Sequence, residues 1–102
     1  MFPEERSLKT EVVSITITFP PGEQLSRHRD CIAFTAHCDG AAVACRITFE
    51  ALLKLPGALA RDYIGTFRVH RPAIETLTAS LLQEGRSRRG ELVILMGDLR
   101  GR

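Results

Sequence analysis

The chain has 102 residues, of which 44% are hydrophobic and 25% charged, and its formal net charge is +2. This length allows one domain with a core that needs no disulfide or metal. The ordinary composition excludes disordered and fibrous classes, and the mild charge does not by itself indicate a nucleic-acid-binding protein. The longest apolar runs, residues 41–45 and 92–96, are far shorter than the ~20 residues of a membrane span, so we expect no membrane association.

The N-terminal residues 1–10 are polar and contain Pro3. They predict a loose arm before a single domain over residues 11–98 and a short tail over 99–102. Acidic residues and a proline lie where an export signal has a basic start and an apolar segment. Three cysteines cannot all pair with one another. Reduced thiols in a cytoplasmic protein are therefore the expectation.

Apolar and polar residues alternate strictly from Val13 to Phe19, which predicts a half-buried strand near residues 12–19. Pro20, Pro21 and Gly22 end it, because proline donates no hydrogen bond to a sheet. The polar residues 23–30 read as a connection.

The next stretch, residues 31–48, predicts a β-hairpin with strands at 31–38 and 41–48. Asp39-Gly40 suits a type I′ turn, which needs positive φ at both positions. A two-residue loop fixes the register, so one face carries only apolar or thiol side chains and is the predicted core: Ile32, Phe34, Ala36, Cys38, Ala41, Val43, Cys45 and Ile47. The reverse face is small or polar, as expected near water or a partner: Cys31, Ala33, Thr35, His37, Ala42, Ala44, Arg46 and Thr48.

A helical period follows the hairpin. Thr48 is placed to cap a short helix that stops before Pro56-Gly57. A second helical stretch is predicted over 58–84, with Pro72 breaking or kinking it near residues 69–71 and Gly85 ending it. Residues 91–96 predict a last strand that is apolar on both sides. The expected fold is α+β: an antiparallel sheet of about four strands with helices packed on one face. The last strand could pair with the first strand or with the hairpin.

A spaced pattern across the hairpin and the first helix resembles domain-of-unknown-function family 1488 (DUF1488), a family of small bacterial proteins. Its residues here are Ala36, Asp39, Gly40, Val43, Cys45, Ile47, Glu50, Ala51 and Leu52, and a later segment adds Phe67, Arg71, Ile74 and Glu75. The resemblance spans roughly residues 15–98 and implies a small α+β protein. It supplies no activity, since the matching residues are of turn, core and cap type.

Candidate metal and catalytic residues do not converge in the predicted fold. His28, Cys31, His37, Cys38 and Cys45 lie close in sequence, but they lack paired zinc-ligand spacing, and the hairpin sends His37 and Cys38 to opposite faces. Cys45 on the core face is a poor position for a thiolate. Glu50 fits a helix start, and Glu75 is spaced to pair with Arg71. We therefore expect no metal, no cofactor and no catalytic residue.

Arginines mark a possible nucleic-acid contact. Arg86, Arg88 and Arg89 lie in the turn before the last strand, and Arg100 and Arg102 lie in the tail. Such a cluster touches phosphates without reading sequence. No aromatic residue lies among them, so base stacking is not indicated, and any binding is expected to be weak.

Self-association is the preferred functional hypothesis. The last strand offers apolar side chains to both faces, while one layer of helices covers only one. A two-fold dimer through the reverse face would bury the remainder, using Ala33, Ala42, Ala44, Val93 and Leu95. The protein is thus predicted to be a non-enzymatic interaction or accessory module, acting as a homodimer or as an accessory to another bacterial protein. The alternatives are a weak nucleic-acid binder and a small enzyme or thiol-based sensor; coverage of the reverse face by the arm or by residues 20–30 competes with the dimer.

Overall fold

The computed structural model describes residues 15–99. The predicted arm, residues 12–14 of the predicted first strand, and Arg100 and Arg102 lie outside the described residues. The elements in chain order are strands β1 (Ile17–Thr18), β2 (Gln24–Ser26), β3 (Cys31–Cys38) and β4 (Ala41–Thr48), helices α1 (Phe49–Leu52), α2 (Tyr63–Val69) and α3 (Arg71–Gln83), strand β5 (Glu91–Ile94), and a 3-10 helix (Met96–Leu99).

The β3–β4 hairpin has the predicted turn and register. Asp39 and Gly40 adopt φ of 51° and 86°, as a type I′ turn requires. Phe34 lies opposite Cys45, and Ala36 lies opposite Val43. The first strand joins the hairpin beside this turn, where the Thr16 amide donates to Asp39 Oδ1 at 3.0 Å. Of the described residues 15–19 of the predicted strand, only Ile17–Thr18 are regular strand.

The core lies between the predicted face of the hairpin and the helices. Ile32, Ile47 and Cys45 are fully buried, and they belong to one apolar cluster with Phe67 of α2 and Leu81 of α3. The prediction fails at the hairpin tip, where Ala41 is exposed and Cys38 half-buried. Both flank the turn, at the end of the ladder beyond the last buried pair, Ala36 and Val43. Cys31 has the predicted register opposite Thr48, but it is only 2% exposed rather than open to water, and strand β2 pairs alongside it.

Local capping signals determine the helices. Thr48 Oγ1 accepts the Ala51 amide at 3.1 Å and caps α1, as predicted. The helical stretch is interrupted at His70, between α2 and α3, and a proline lies in the first turn of α3. Residues 58–62 are not helical, contrary to expectation, because Asp62 caps α2 by accepting the Gly65 amide at 2.9 Å. At the other end Gly85, with φ of 76°, stops α3 where predicted.

The sheet differs from the expected four-stranded antiparallel sheet in two respects. It runs in the order β1-β3-β4-β5 and has an additional strand, β2, which pairs with β3 where a connection was expected. The other difference is that β5 pairs with β4 in parallel. Parallel neighbours need a long crossover connection, and the segment with three helices between β4 and β5 provides one. The α+β class is confirmed, and the sheet is mostly antiparallel.

The helices lie against one face of the sheet, as predicted. In β5, Leu92 and Ile94 point into the core and are at most 2% exposed, whereas Val93 is half-buried. No helix within residues 15–99 is long and apolar enough to cross a membrane.

Candidate binding surface

The sheet face opposite the helices, here called the open face, consists of alternate residues of β3, β4 and β5. Its members are Ala33, Thr35, His37, Ala42, Ala44, Arg46, Glu91 and Val93. Directly opposed strand residues share a face, so the pairs Thr35 with Ala44 and Arg46 with Val93 place these side chains together. Arg46 Nη1 donates to Glu91 Oε1 at 3.3 Å across β4 and β5. Most side chains on the open face are therefore small or polar.

Four of the five residues predicted for self-association lie on the open face. Ala42 and Ala44 are exposed, and Ala33 and Val93 are half-buried. Leu95 lies just beyond β5 and is 51% exposed. Its amide donates to Asp98 Oδ2 at 2.9 Å, which ends the strand there. The predicted patch is therefore continuous over β3 and β4 and reaches the edge strand β5.

A groove of about 870 Å³ crosses the β3 side of the open face. One wall is formed by residues 21–29, which include β2, and the floor contains Ala33, Thr35, Ala44 and Arg46. We call this feature the basic groove. Sequence reasoning missed it because the wall is polar and was expected to be an irregular connection. Residues 20–30 thus border the open face rather than fold over it.

A cluster of charged side chains anchors this wall to the helices. Glu23, with a side chain only 9% exposed, accepts Arg68 Nε at 2.8 Å and Arg71 Nη1 at 2.9 Å. Arg71 also donates to the Pro20 carbonyl at 2.9 Å and to Glu75 at 2.7 Å. Its guanidinium lies 5.6 Å from the centre of the Phe67 ring, within cation–π range. The later motif residues Phe67, Arg71 and Glu75 therefore have a structural task, and the predicted pairing of Arg71 with Glu75 is confirmed.

The basic groove has an excess of positively charged side chains. Arg27, His28 and Arg29 line its wall and are exposed, and Arg46 lies on its floor. Among the described lining residues, Glu23 is the only carboxylate, and two arginines already bind it. Arg27 and Arg29 make no ion pair with any residue between 15 and 99. The groove therefore carries unneutralised positive charge.

The arginines predicted to contact nucleic acid differ in their surroundings. Arg86 Nη2 donates to Asp98 Oδ1 at 3.0 Å, so its charge is largely neutralised. Arg88 and Arg89 are exposed and have no carboxylate partner in the described part of the chain. They belong to a tight turn in which Arg88 and Glu91 exchange both backbone hydrogen bonds, at 2.7 and 3.0 Å. Arg89 has a φ of 54° and Gly90 one of 77°, which identifies a second type I′ turn.

The thiols are free within the described structure, and no group of three His, Cys, Asp or Glu side chains there is arranged to hold a metal ion. Burial raises the pKa of the Cys45 thiol to about 11, against a smaller opposing effect of a hydrogen bond with the Ala36 backbone. A thiol with so high a pKa is a poor nucleophile near neutral pH. The cytoplasmic location stays a prediction.

Comparisons with known proteins agree with this architecture, which is that of a small α+β protein with helices on one side of its sheet. A solved structure from Shewanella loihica PV-4, described as a protein of unknown function from the DUF1488 family, superposes with a TM-score of 0.68 at 22% identity, covering 80% of this chain and 94% of that one. The chain is 30% identical over 69 residues to the uncharacterized protein YrdB of Escherichia coli K12 and to YrdB of Shigella flexneri, spanning 67% of this chain and 81% of each relative. The family model described as "Protein of unknown function (DUF1488)" matches residues 17–94. The chain belongs to the DUF1488 family, which confirms the resemblance seen in the sequence.

Proposed function

We propose that this protein is a non-enzymatic interaction module that acts by self-association, two copies meeting through their open faces. The observation that supports this most directly is the one-sided sheet: within residues 15–99 the helices lie against the core face, and none lies on the open face. A sheet face that carries apolar side chains is buried by packing against another element or subunit, and Val93 with the adjacent Leu95 gives the open face such side chains at β5.

The composition of the open face favours a second copy. Ala42 and Ala44 are exposed, and side chains this small let another surface approach the sheet closely. Val93 and the exposed Leu95 add apolar area at the edge strand. A patch that meets itself about a two-fold axis closes the assembly at two subunits and leaves no copy of that patch unpaired.

Self-association can be measured by light scattering over protein concentrations from about 1 to 100 μM, the range in which modest interfaces assemble. We expect a mass of twice the 11.3 kDa chain at the upper end. Leu95→Asp should shift the protein to monomer. Leu59→Asp is the matched control, because Leu59 is similarly exposed, 45% against 51%, and lies in the loop before α2. A monomer throughout this range, or equal effects of both variants, refutes the proposal.

Weak nucleic-acid binding is a second candidate, favoured by the exposure of Arg88 and Arg89 on their turn. Two free arginines neutralise few phosphates, so binding should vanish at moderate salt. Arg88→Gln with Arg89→Gln should abolish the binding of generic DNA or RNA, whereas Arg86→Gln should have a smaller effect because Asp98 already holds Arg86. Arg61→Gln, a change at an exposed arginine in the loop before α2, is the control. Salt-resistant binding, or binding unaffected by the double change, excludes this route.

A further inference from the structure

We propose that the basic groove binds an extended acidic segment of another protein, with Arg27, Arg29 and Arg46 pairing with its carboxylates. This site goes beyond self-association, because its occupant is a different chain. Its charged wall, residues 21–29, is not part of the patch predicted for the dimer, but its floor shares Ala33 and Ala44 with that patch, so an acidic segment and a second copy compete for this part of the open face.

The shape of the groove suits an extended polypeptide. Its floor runs along β3 and β4 and is made largely of Ala33, Thr35 and Ala44. These short side chains leave room for a peptide backbone to lie on the sheet. At about 3.3 Å per strand residue, the floor from Cys31 to Thr35 accommodates roughly four or five residues of an extended segment. The volume of about 870 Å³ lies within the usual range for ligand sites.

Charge selects the class of segment. Arg27 and Arg29 lie on the wall without an ion pair among the described residues, and the one lining carboxylate, Glu23, is bound by Arg68 and Arg71. Within residues 15–99, Arg46 pairs only with Glu91, at 3.3 Å, and the side chain of Glu91 is 54% exposed. Guanidinium donors of Arg46 thus remain available, since the group has five N–H donors. A segment with several carboxylates gains from these charges, and a neutral or basic segment does not.

The groove lacks what single-stranded nucleic acid uses for binding. Phe34 is the only Phe, Tyr or Trp among the described lining residues, and it is 4% exposed and packs in the core against Phe67, with ring centres 5.3 Å apart. The His28 imidazole is the one exposed ring among these residues, so the groove lacks the series of rings on which successive bases stack, and stacking supplies much of the affinity of such sites. An acidic peptide needs only the charges and the flat floor that are present.

The wall that carries these arginines is held in place by a buried contact. Arg71 binds both Glu23 and the Pro20 carbonyl, and both lie just before β2. The groove therefore exists before its occupant arrives, which lowers the ordering cost of binding. The structure thus connects the later family motif, through Arg71, to the shape of the groove.

The test is fluorescence anisotropy of a labelled eight-residue peptide in which Glu alternates with Ser, added to the full-length protein. The same peptide with Gln in place of Glu is the charge control. We expect saturable binding of the Glu peptide only. Arg27→Gln with Arg29→Gln should weaken binding at least about fivefold, the loss of two exposed charge pairs. Arg61→Gln with Arg89→Gln removes the same charge outside the groove lining and should leave binding within about twofold.

Three results overturn the proposal. The first is equal binding of the Glu and Gln peptides. The second is equal weakening by the two double variants, which would mean that overall charge alone attracts the peptide. The third is a single-stranded oligonucleotide that binds more tightly than the peptide and is weakened by the groove variant, which would make the site one for nucleic acid. Leu95, tested for self-association, does not line the groove, so the two proposals can fail separately.

Discussion

The two faces of the β3–β4 hairpin are made from alternating residues of the same two strands, yet they differ in almost every physical respect. On the helix side, Phe34 is 4% exposed and Ile32 and Ile47 are fully buried. On the open side, Ala44 is exposed and Thr35 and Arg46 are half-buried. Because side chains alternate across a strand, one sequence can assign one face to folding and the other to binding. Substitutions on the helix side should therefore change stability, and substitutions at the alternate positions on the open side should change association.

The strongest test of this comparison is the neighbouring pair Phe34 and Thr35. Phe34→Ala removes a ring packed against Phe67 at 5.3 Å between ring centres and leaves a cavity, so the free energy of unfolding should fall by ~3–5 kcal/mol. Val43→Ala, on the same face, should cost about 2 kcal/mol. Thr35→Ala, on the open face, should change it by less than ~0.5 kcal/mol. Urea unfolding followed by circular dichroism measures all three. A loss at Thr35 comparable to that at Phe34 would show that the open face is covered in the native protein.

The next test compares two arginines that share the partner Glu23. Arg71 has a side chain 18% exposed and makes three hydrogen-bonded contacts besides the ring contact with Phe67, whereas the Arg68 side chain is 67% exposed and makes one. Arg71→Ala should lower the free energy of unfolding by about 2–4 kcal/mol, because it leaves the nearly buried Glu23 poorly compensated. Arg68→Ala should lower it by less than about 1 kcal/mol. Equal losses from the two variants would mean that the wall of the groove is not anchored through Arg71.

The hairpin, the Thr48 cap and the break at His70 could be predicted because their signals are local: a two-residue Asp-Gly turn, a threonine at a change of period, and Pro72. The core face followed from the alternation alone. The parallel pairing of β5 could not be predicted, since β4 and β5 are separated by three helices and only their packing decides the edge at which the chain returns. Strand β2 was missed because Gln24–Ser26 has no apolar alternation and forms only by pairing with β3.

The basic groove could not be foreseen for the same reason. Arg71 and Glu23 are 48 positions apart, and no spacing rule connects them. In the sequence, Arg27 and Arg29 look like part of an ordinary polar turn. They become part of a site only because β2 pairs with β3, which places them beside Ala33 and Ala44. The self-association patch was easier to assemble from sequence, because the hairpin register alone puts Ala33, Ala42 and Ala44 on one face.

A smaller effect should come from the Cys45 thiol on the core side. The unfolded chain loses this proton from pH 9, while the folded protein holds it to about pH 11 because the thiol is buried. The contribution of Cys45 to stability is thus intact below pH 9 and is lost as the pH rises through this window, at about 1 kcal/mol per pH unit. The difference in unfolding free energy between the native protein and Cys45→Ala should shrink accordingly between pH 8 and 10. A difference independent of pH would place the thiol in contact with water.

The smallest effect should come from the Arg46–Glu91 pair, which is the open-face counterpart of the buried contacts. The pair is joined at 3.3 Å, and the side chains are 22% and 54% exposed, so water and salt screen much of the attraction. A double-mutant cycle of Arg46→Gln and Glu91→Gln should give a coupling energy below about 1 kcal/mol, reduced further at 1 M salt. The same Arg46→Gln change should measurably weaken binding of the acidic peptide, because Arg46 lies on the floor of the groove. A coupling energy of several kcal/mol would instead make this pair a structural element like Arg71 and Glu23, and the division between a folding face and a binding face would not hold at β5.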